Sequence, residues 1–449
     1  MRAIQSIQSA TFEPVTMRFF DVVTRRGVRR AYRWLLDTQK LDRAAMVALQ
    51  EDELTRLFVH AHEFSPFYRE RLTAAGWRPG DRATLGLLRT LPALEKPDIQ
   101  TQLDAVSTVG RWGGGRPIQS NTGGTTGAPT TFWVNSEGRD RRVAGTLRDQ
   151  TWLGLRPGDP IAYLGGSSLG VPRSVSAVER LKWVARGQLF LSAWDLSDGA
   201  LASYADQLER FRPKLLLGYA GALHAFARYL NATGRKVRIP AVQATAEMLY
   251  PEWREAIAQA FGGPVYERYG TREVGDIAAS CATCGGMHLN EENVVVDVDE
   301  ATGELHITDL TNYATPFVRY RIGDRGTLAE PDPACRPGLR RLDSLDGRAM
   351  DVLETADGGR VSAVILVHSL KDFPQIRAHQ LWQPAGDRVQ VVVAAAEEPP
   401  LDRIQDALKP HFGGTRLEVI WTHELPQTAN GKLKFVVRDA EYDGPRSGV

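Results

Sequence analysis

Residues 120–130 form the segment of this chain best suited to bind a phosphate group. They include three glycines, four threonines and one serine within eleven residues. Glycines let a loop turn its backbone N–H groups toward one point, and small hydroxyl side chains add further donors there. A polyphosphate is the ligand that such a loop predicts. The same composition also fits a flexible polar linker, so the loop alone leaves both alternatives open.

Four other residues suit nucleotide chemistry. Tyr269 and Glu273 lie where a predicted strand runs into a turn, and there a ring can stack on a base while a carboxylate binds Mg²⁺. Asp324 offers a carboxylate to ribose hydroxyls. Lys432 follows an Asn-Gly pair, which predicts a positive charge at a loop tip. Taken singly each is weak evidence, because exposed acidic and basic residues are common on protein surfaces.

The three cysteines of the chain all lie between residues 281 and 335. Cys281 and Cys284 have the Cys-x-x-Cys spacing, His288 follows four residues later, and Cys335 can return as a fourth ligand. This pattern predicts a Cys₃His zinc site, which is structural because no coordination position stays open. Two alternatives are His306 as the fourth ligand and reduced thiols that hold no metal.

The composition narrows the classes of function. The chain has 449 residues, 43% of them hydrophobic, and a net charge of +1 from 55 basic and 54 acidic residues. Such a balance argues against a nucleic-acid partner. No apolar run approaches the roughly 20 residues of a membrane span, so we expect no such span and a cytoplasmic location. The basic segment 19–40 fits a docking helix better than an interfacial one.

The pattern of apolar residues predicts the elements that position these side chains. From 160 to 269, short apolar runs alternate with amphipathic stretches, which is typical of a mostly parallel α/β sheet. Ligands of such sheets bind at the carboxyl ends of the strands. We predict a helical layer at 1–100 and a β-subdomain at about 285–345. The large N-terminal domain then spans 1–347, and a small α+β domain spans 348–449.

Five segments occur in a familiar order: the glycine-rich loop 121–129, the aromatic-Gly-x-x-Glu segment 269–273, the Tyr-Arg-x-Gly-Asp segment 320–324, Gly347-Arg348, and the lysine segment 426–432. In this respect the chain resembles the adenylate-forming (ANL) superfamily over residues from about 60 to 438. It is most similar to phenylacetate-CoA ligases and capsule-biosynthesis-type relatives, judging by segments 65–70, 269–275 and 308–314. The resemblance implies the ANL fold, with a large α/β N-terminal domain and a small, mobile α+β C-terminal domain.

The resemblance also implies roles for particular residues. ATP would be bound by the following set: Thr122, Gly123, Gly124, Thr125, Thr126, Gly127, Glu247, Tyr269, Asp324 and Arg348. Glu273 would ligate Mg²⁺, and Lys432 would bridge the substrate carboxylate and the α-phosphate. The implied reaction joins a carboxylic acid, aryl or arylacetic by preference, to AMP and then to coenzyme A. The C-terminal domain would rotate between the two half-reactions.

Neighbouring strand ends are expected to form the pocket for the acid. The candidate lining residues are Tyr163, Gly166, Gly218, Tyr219, Ala220 and Thr245. Residues 166–170 also match the Gly-x-Ser-x-Gly turn of serine hydrolases. Pro172 and the lack of obvious Asp and His partners make that alternative less favoured.

Three positions depart from the family pattern. Arg272 stands where many relatives have Ser or Thr, Thr130 stands where many have Lys, and Met350 occupies the expected position of the hinge acid. An amide synthetase with an amine acceptor is therefore an alternative to the CoA ligase, as are an adenylyltransferase and a non-catalytic binding relative. The expected partners are a small carboxylic acid and an acceptor, which is coenzyme A or an amine. A homodimer is also compatible with the sequence.

Overall fold

The computed structural model describes residues 26–114, 116–121, 130–166, 169, 171, 179, 182–184, 186–348, 352–354, 360–362, 369–370, 373, 375–376, 378–383, 388–412, 414–425 and 436–437. Its helices are α1 (Val28–Thr38), α2 (Arg43–Phe64), α3 (Pro66–Ala74), α4 (Leu85–Thr90), α5 (Lys96–Val106), α6 (Ser136–Trp152), α7 (Asp198–Phe211), α8 (Ala220–Thr233), α9 (Pro251–Phe261) and α10 (Leu401–Leu408). Within those ranges, none of the helices is both long enough and apolar enough to span a membrane.

The described N-terminal part is helical, as the sequence predicts. The Asp42 carboxylate accepts from the Ala45 N–H at 2.8 Å and starts α2. The Ser65 hydroxyl accepts from the Tyr68 N–H at 3.3 Å, and Pro66 occupies the first turn of α3. Apolar side chains of α2 are buried in a core that also contains strands of the large sheet: Leu54, Leu57, Phe58 and Ala61. Burial of this face attaches the helical layer to the sheet.

One large sheet organises the molecule. Its strands are β3 (Ile161–Gly165), β4 (Gln188–Ser192), β5 (Leu215–Tyr219), β6 (Ala241–Thr245), β7 (Val265–Thr271), β8 (Gly275–Ser280), β9 (Met287–Leu289), β10 (Val294–Val298), β11 (Glu304–Asp309), β12 (Tyr320–Ala329) and β13 (Arg341–Arg348). The short hairpin β1 (Ile118–Asn121) and β2 (Thr131–Val134) lies outside it. The order across the sheet is β10-β11-β12-β13-β9-β8-β7-β6-β5-β3-β4.

The sheet changes character at β7. Strands β4, β3, β5, β6 and β7 pair in parallel, whereas β7 pairs antiparallel with β8, and the pairing stays antiparallel as far as β10. The predicted parallel sheet and β-subdomain are therefore two parts of one continuous sheet. Helices α8 and α9 bury their apolar faces on the parallel part. Both end at a glycine with a left-handed backbone, Gly234 (φ 68°) and Gly262 (φ 65°).

Two predicted elements differ from the structure at one end. The sequence pattern predicts a strand over 316–322, but β12 begins only at Tyr320, because Arg319 has a left-handed backbone with φ 49° that interrupts an extended strand. The pattern also predicts a helix over 401–412. There α10 ends at Leu408 and a short 3₁₀ turn, Lys409–His411, follows, because Pro410 has no N–H to continue the helix.

The C-terminal region has its own sheets. Strands β14 (Val352–Glu354) and β15 (Arg360–Ser362) form a hairpin. Strands β16 (Ala378–Trp382), β17 (Arg388–Ala394), β18 (Arg416–Thr422) and β19 (Val436–Val437) pair in the order β18-β17-β16-β19. Helix α10 packs on this sheet around Ile404 and Leu408, which makes a separate hydrophobic core. The guanidinium of Arg228, on α8, donates a hydrogen bond to the main-chain oxygen of Ile376 in this region.

Candidate functional site

The candidate site lies where the parallel part of the sheet meets the antiparallel part. Tyr269 is in β7, and Glu273 is in the turn that joins β7 to β8. The β7–β8 register shifts between Tyr269 and Gly270. A Cβ atom on Gly270 would lie 2.5 Å from the main-chain oxygen of Gly275, so only glycine fits this close approach. This register shift is a β-bulge near the end of β7. The turn that carries Glu273 follows directly after it.

Hydrogen bonds connect the two sequence segments that contain Glu273 and Asp324. The hydroxyl of Tyr269 lies 2.8 Å from Oδ2 of Asp324. The hydroxyl of Tyr320 lies 3.4 Å from Oε1 of Glu273. Each segment therefore supplies a tyrosine to the carboxylate of the other, although they are about 50 residues apart in the sequence. These two bonds join the segment that carries Glu273 to the segment that carries Asp324.

Glu247 lies on the neighbouring strand end. Its Oε2 accepts a hydrogen bond of 2.7 Å from the N–H of Gly221 in the first turn of α8. A carboxylate at a helix N-terminus is stabilised by the unpaired N–H groups and by the helix dipole. The residue before it, Ala246, has a left-handed backbone with φ 68°. A left-handed backbone is unusual for alanine, and it sets the direction of the chain at Glu247. The role of Glu247 in ATP binding stays a prediction.

The candidate acid-pocket residues fall into two groups. Gly218, Tyr219 and Thr245 adjoin in the β5–β6 register at the carboxyl edge, and Gly166 and Ala220 directly follow strands β3 and β5. Gly218 must stay small, because a Cβ there would lie 2.8 Å from the main-chain oxygen of Leu164. Tyr219 and Ala220 are buried within the core beneath α8.

Tyr163 lies in β3, two residues before the carboxyl end of the strand. Its ring stacks on Phe190, with centroids 4.8 Å apart and planes 15° apart, and Phe190 also contacts Trp183 edge to face. Burial raises the pKa of Tyr163 above its ordinary value of 10.0. Its phenol therefore stays neutral at physiological pH and packs as part of an aromatic cluster.

Arg272 connects the Glu273 turn to the strand that leads into the glycine-rich loop. Its Nη1 donates a hydrogen bond of 3.2 Å to the main-chain oxygen of Asn121, at the end of β1. The side-chain oxygen of Asn121 accepts from the hydroxyl of Thr131, at 2.9 Å, on the facing strand β2. A residue that departs from the family pattern therefore contacts the main chain beside the predicted phosphate loop.

The four predicted metal ligands meet at one point. Cys281, Cys284, His288 and Cys335 offer ligand atoms that all lie within 4.8 Å of one another. The sulfurs of Cys281 and Cys335 are 3.6 Å apart, and Nε2 of His288 lies 3.2 Å from the Cys284 sulfur and 3.5 Å from the Cys335 sulfur. His306, the alternative fourth ligand, instead contacts a guanidinium nitrogen of Arg319 at 3.3 Å. The cluster of described ligand atoms thus contains His288 as its histidine.

Two neighbours complete the surroundings of this cluster. Nη1 of Arg336 lies 2.9 Å from the sulfurs of both Cys281 and Cys335. The ring of Trp152, at the end of α6, meets His288 edge to face with centroids 5.6 Å apart, and the Arg336 guanidinium lies 4.5 Å above it. The cluster therefore joins the end of α6 to the segment after β8 and to the loop before β13.

Comparison with known proteins finds relatives that are similar in sequence over most of the chain. CapK of Staphylococcus aureus is 24% identical over 406 residues, which cover 87% of this chain and 89% of CapK. The phenylacetate-coenzyme A ligase of Escherichia coli is 26% identical over 351 residues, which cover 71% and 74% of the two chains. The chain is similar in sequence to CapK and to phenylacetate-CoA ligases. No protein-family model matches it.

A solved structure shows the same fold. The 2-hydroxyisobutyryl-CoA ligase in complex with 2-HIB-AMP superposes with a TM-score of 0.69 over 90% of this chain and 92% of that protein, at 17% identity. The α/β architecture predicted for the ANL superfamily is thereby confirmed. The sequence similarity to CapK and to the phenylacetate-coenzyme A ligase covers 87% and 71% of this chain, beyond the short motifs alone.

Several predicted site residues lie outside the described part of the chain. They are Thr122, Gly123, Gly124, Thr125, Thr126 and Gly127 of the loop, Ser168 of the hydrolase-like turn, Met350, and Lys432. The side chain of Arg348 is also outside it, although its backbone pairs with Asp324 at the end of β13. Their roles stay predictions.

Sequence reasoning missed Arg142, on α6. This guanidinium contacts the main chain of the Glu273 turn and forms an ion pair with Asp309. The sequence gives one partial signal, since Asp309 belongs to the segment 308–314 that resembles the family. Arg142 itself lies in a helix with several arginines, and no sequence pattern distinguishes the one that faces the site.

Proposed function

We propose that this chain is an AMP-forming acid–CoA ligase. It activates a carboxylic acid with ATP as an acyl adenylate and then transfers the acyl group to coenzyme A. The observation that carries the proposal is the reciprocal hydrogen bonding that joins the segment of Glu273 to the segment of Asp324 at the end of a parallel strand. The homology to phenylacetate-coenzyme A ligases supports an aryl or arylacetic acid as the substrate.

The described residues support a division of roles. Asp324 binds the ribose hydroxyls, and Tyr269, whose hydroxyl donates to Asp324, stacks near the adenine. Glu273 binds Mg²⁺, for which a carboxylate oxygen is a suitable ligand. The metal, when bound, neutralises charge on the phosphates and so favours departure of pyrophosphate.

The direct test is ATP–pyrophosphate exchange with a panel of aryl, arylacetic and short aliphatic acids. Exchange that depends on one of the acids supports adenylation, and AMP release on addition of coenzyme A supports the complete ligase. AMP release with amines but not with coenzyme A would replace the ligase by an amide synthetase. If no acid supports either pyrophosphate exchange or AMP release, the proposal is wrong.

We further propose that Lys432 acts only in the first half-reaction. A mobile ammonium group can bridge the acid carboxylate and the α-phosphate as negative charge moves onto the phosphate. Lys432→Ala is then expected to slow adenylate formation about 100-fold or more, by loss of one charge contact. Thioester formation from a supplied acyl adenylate should continue near the wild-type rate. Lys434→Ala, two residues further on, is the matched control, and equal loss of both half-reactions would contradict the role.

We propose that the Cys281, Cys284, His288 and Cys335 cluster holds a structural Zn²⁺. Tetrahedral zinc with its usual Zn–S and Zn–N lengths requires sulfurs about 3.8 Å apart and sulfur–nitrogen distances of about 3.5 Å. The distances of 3.6, 3.2 and 3.5 Å fit that geometry. Three thiolates around Zn²⁺ leave a net negative charge, which the Arg336 guanidinium balances.

Metal analysis tests this site. Protein purified without chelators should contain about one zinc per chain, as a closed four-ligand site predicts. Cys284→Ser should lose most of that zinc and unfold at a lower temperature, because metal binding contributes to folding. His306→Ala serves as the control and should keep its zinc, since His306 contacts Arg319 instead. A zinc content near zero in the wild type would contradict the proposal.

A further inference from the structure

Arg142 contacts the backbone of the turn that carries Glu273. Its Nη1 lies 3.3 Å from the main-chain oxygen of Arg272, and its Nη2 donates to the main-chain oxygen of Glu273. Nη2 also lies 2.7 Å from Oδ2 of Asp309. One guanidinium therefore joins two successive carbonyl groups of the turn to a carboxylate on another strand.

The carboxylate partner is itself held in place. The Asp309 side chain is fully buried at the end of β11, and its Oδ1 accepts hydrogen bonds from the N–H and the hydroxyl of Thr311, at 2.8 and 2.7 Å. A buried carboxylate is costly unless it is paired and hydrogen-bonded. Asp309 thus fixes the guanidinium from one side while α6 fixes it from the other.

The turn packs closely on the Arg142 stem. Gly275 has a left-handed backbone with φ 82°, and a Cβ there would lie 3.0 Å from Cγ of Arg142. The turn therefore has little room to shift while Arg142 stays in place. At the same time the Glu273 carboxylate receives the hydroxyl of Tyr320 at 3.4 Å. Arg142 holds the backbone of Glu273, and Tyr320 contacts its side chain.

We propose that Arg142 is a positioning residue for Glu273, an inference that rests on the proposed function. The planar guanidinium can bind two carbonyl oxygens and a carboxylate at once, whereas an ammonium group cannot reproduce that fork. Without it the carbonyls of Arg272 and Glu273 lose a common donor, and the turn gains freedom. The Glu273 carboxylate then spends less time at the position where it binds Mg²⁺.

The experiment compares Arg142→Gln and Arg142→Lys with Arg141→Gln. Arg141 is the residue before Arg142 in α6, its side chain is 10% exposed against 16% for Arg142, and it pairs with Glu53. The readouts are kcat for ATP–pyrophosphate exchange, the Mg²⁺ concentration for half-maximal rate, Mn²⁺ affinity of the ATP complex by electron paramagnetic resonance, and the unfolding temperature.

Arg142→Gln should weaken metal affinity about 10- to 100-fold, the range usual for groups that orient a metal ligand, with a matching rise in the Mg²⁺ requirement. Arg142→Lys should lie between it and the wild type. Arg141→Gln should lower the unfolding temperature and leave the Mg²⁺ requirement unchanged. If Arg142→Gln fails to fold, Arg142→Lys and Asp309→Asn give the same comparison.

Two outcomes separate failure of this inference from failure of the proposed function. An active wild type in which the Arg142 and Arg141 variants have the same Mg²⁺ and Mn²⁺ dependence would overturn the positioning role, since Arg142 would then be merely structural. A wild type that exchanges no pyrophosphate with any acid would overturn the proposed function. In that case Mn²⁺ affinity, measured without any acid, still decides whether Arg142 positions the carboxylate.

Discussion

Glu273→Gln is expected to lower the rate of ATP–pyrophosphate exchange about 100-fold at saturating ATP and acid. The amide has the shape of the carboxylate and keeps an oxygen for the Tyr320 hydroxyl, 3.4 Å away in the native protein. It lacks the charge that binds Mg²⁺. Metal ions contribute several kcal/mol to phosphate chemistry, and about 1.4 kcal/mol corresponds to a tenfold change in rate. The rate as a function of Mg²⁺ concentration is the measurement.

Two variants on the facing segment serve as controls. Tyr320→Phe removes only a long hydrogen bond of 3.4 Å to the Glu273 carboxylate and should lower the rate about tenfold, because a hydrogen bond to a charged group contributes about 1.5 kcal/mol at the weak end of its range. Asp324→Asn should raise the KM for ATP more than the KM for the acid, since Asp324 is proposed to bind the ribose. A Glu273→Gln enzyme with a normal rate and a normal Mg²⁺ requirement would exclude Glu273 as a metal ligand.

Local sequence patterns predict the parts of this site that depend on nearby residues. A short apolar run predicts β6 at Ala241–Thr245, a strand buried on both faces, and an amphipathic stretch predicts α9 at Pro251–Phe261, a helix that buries one face. The Cys-x-x-Cys spacing and the nearby His288 predict a cluster, because a tight turn brings such residues together. Cys335 is predicted as a ligand only because it is the one remaining cysteine of the chain. In the structure its sulfur lies with the other three ligand atoms.

Contacts across the sheet could not be predicted in the same way. The bond between Tyr269 and Asp324 depends on how far the antiparallel strands return toward β7, which no local pattern specifies. Arg142 faces the turn because of the rotation of α6 about its axis, and this rotation depends on packing of the whole layer. Arg319 interrupts the strand predicted over 316–322 through a single left-handed backbone angle. Such choices are set by tertiary packing rather than by propensity.

The contact between α8 and the C-terminal sheet contains two histidines and an arginine. The ring of His224 stacks on Trp253, with centroids 4.7 Å apart and planes 9° apart. Arg228, one turn further along α8, donates to the Ile376 main-chain oxygen. Burial, together with the nearby Arg228 charge, lowers the pKa of His224 to about 3 and that of His379, on β16, to about 4. Both imidazoles are therefore neutral in the folded protein at pH 5.

These two pKa values predict how stability depends on pH. In the unfolded chain both imidazoles take up protons below their ordinary pKa of 6.5, whereas in the folded chain they stay neutral down to about pH 4. The unfolded state then binds more protons, so the free energy of unfolding falls as pH falls from about 6.5 to about 4. The loss is about 1 kcal/mol per pH unit for each histidine.

Urea unfolding at pH 7, 6 and 5 measures this effect. Carboxylates also titrate in that range, so the informative quantity is the difference in pH slope between the wild type and the variants His224→Gln and His379→Gln. Each variant removes one titrating imidazole, and its free energy of unfolding should therefore fall less steeply below pH 6.5 than that of the wild type. His423, on the surface of the same C-terminal region, supplies the control variant His423→Gln, whose slope should match the wild type. Parallel slopes for all four proteins would show that neither buried imidazole stays neutral in the folded state.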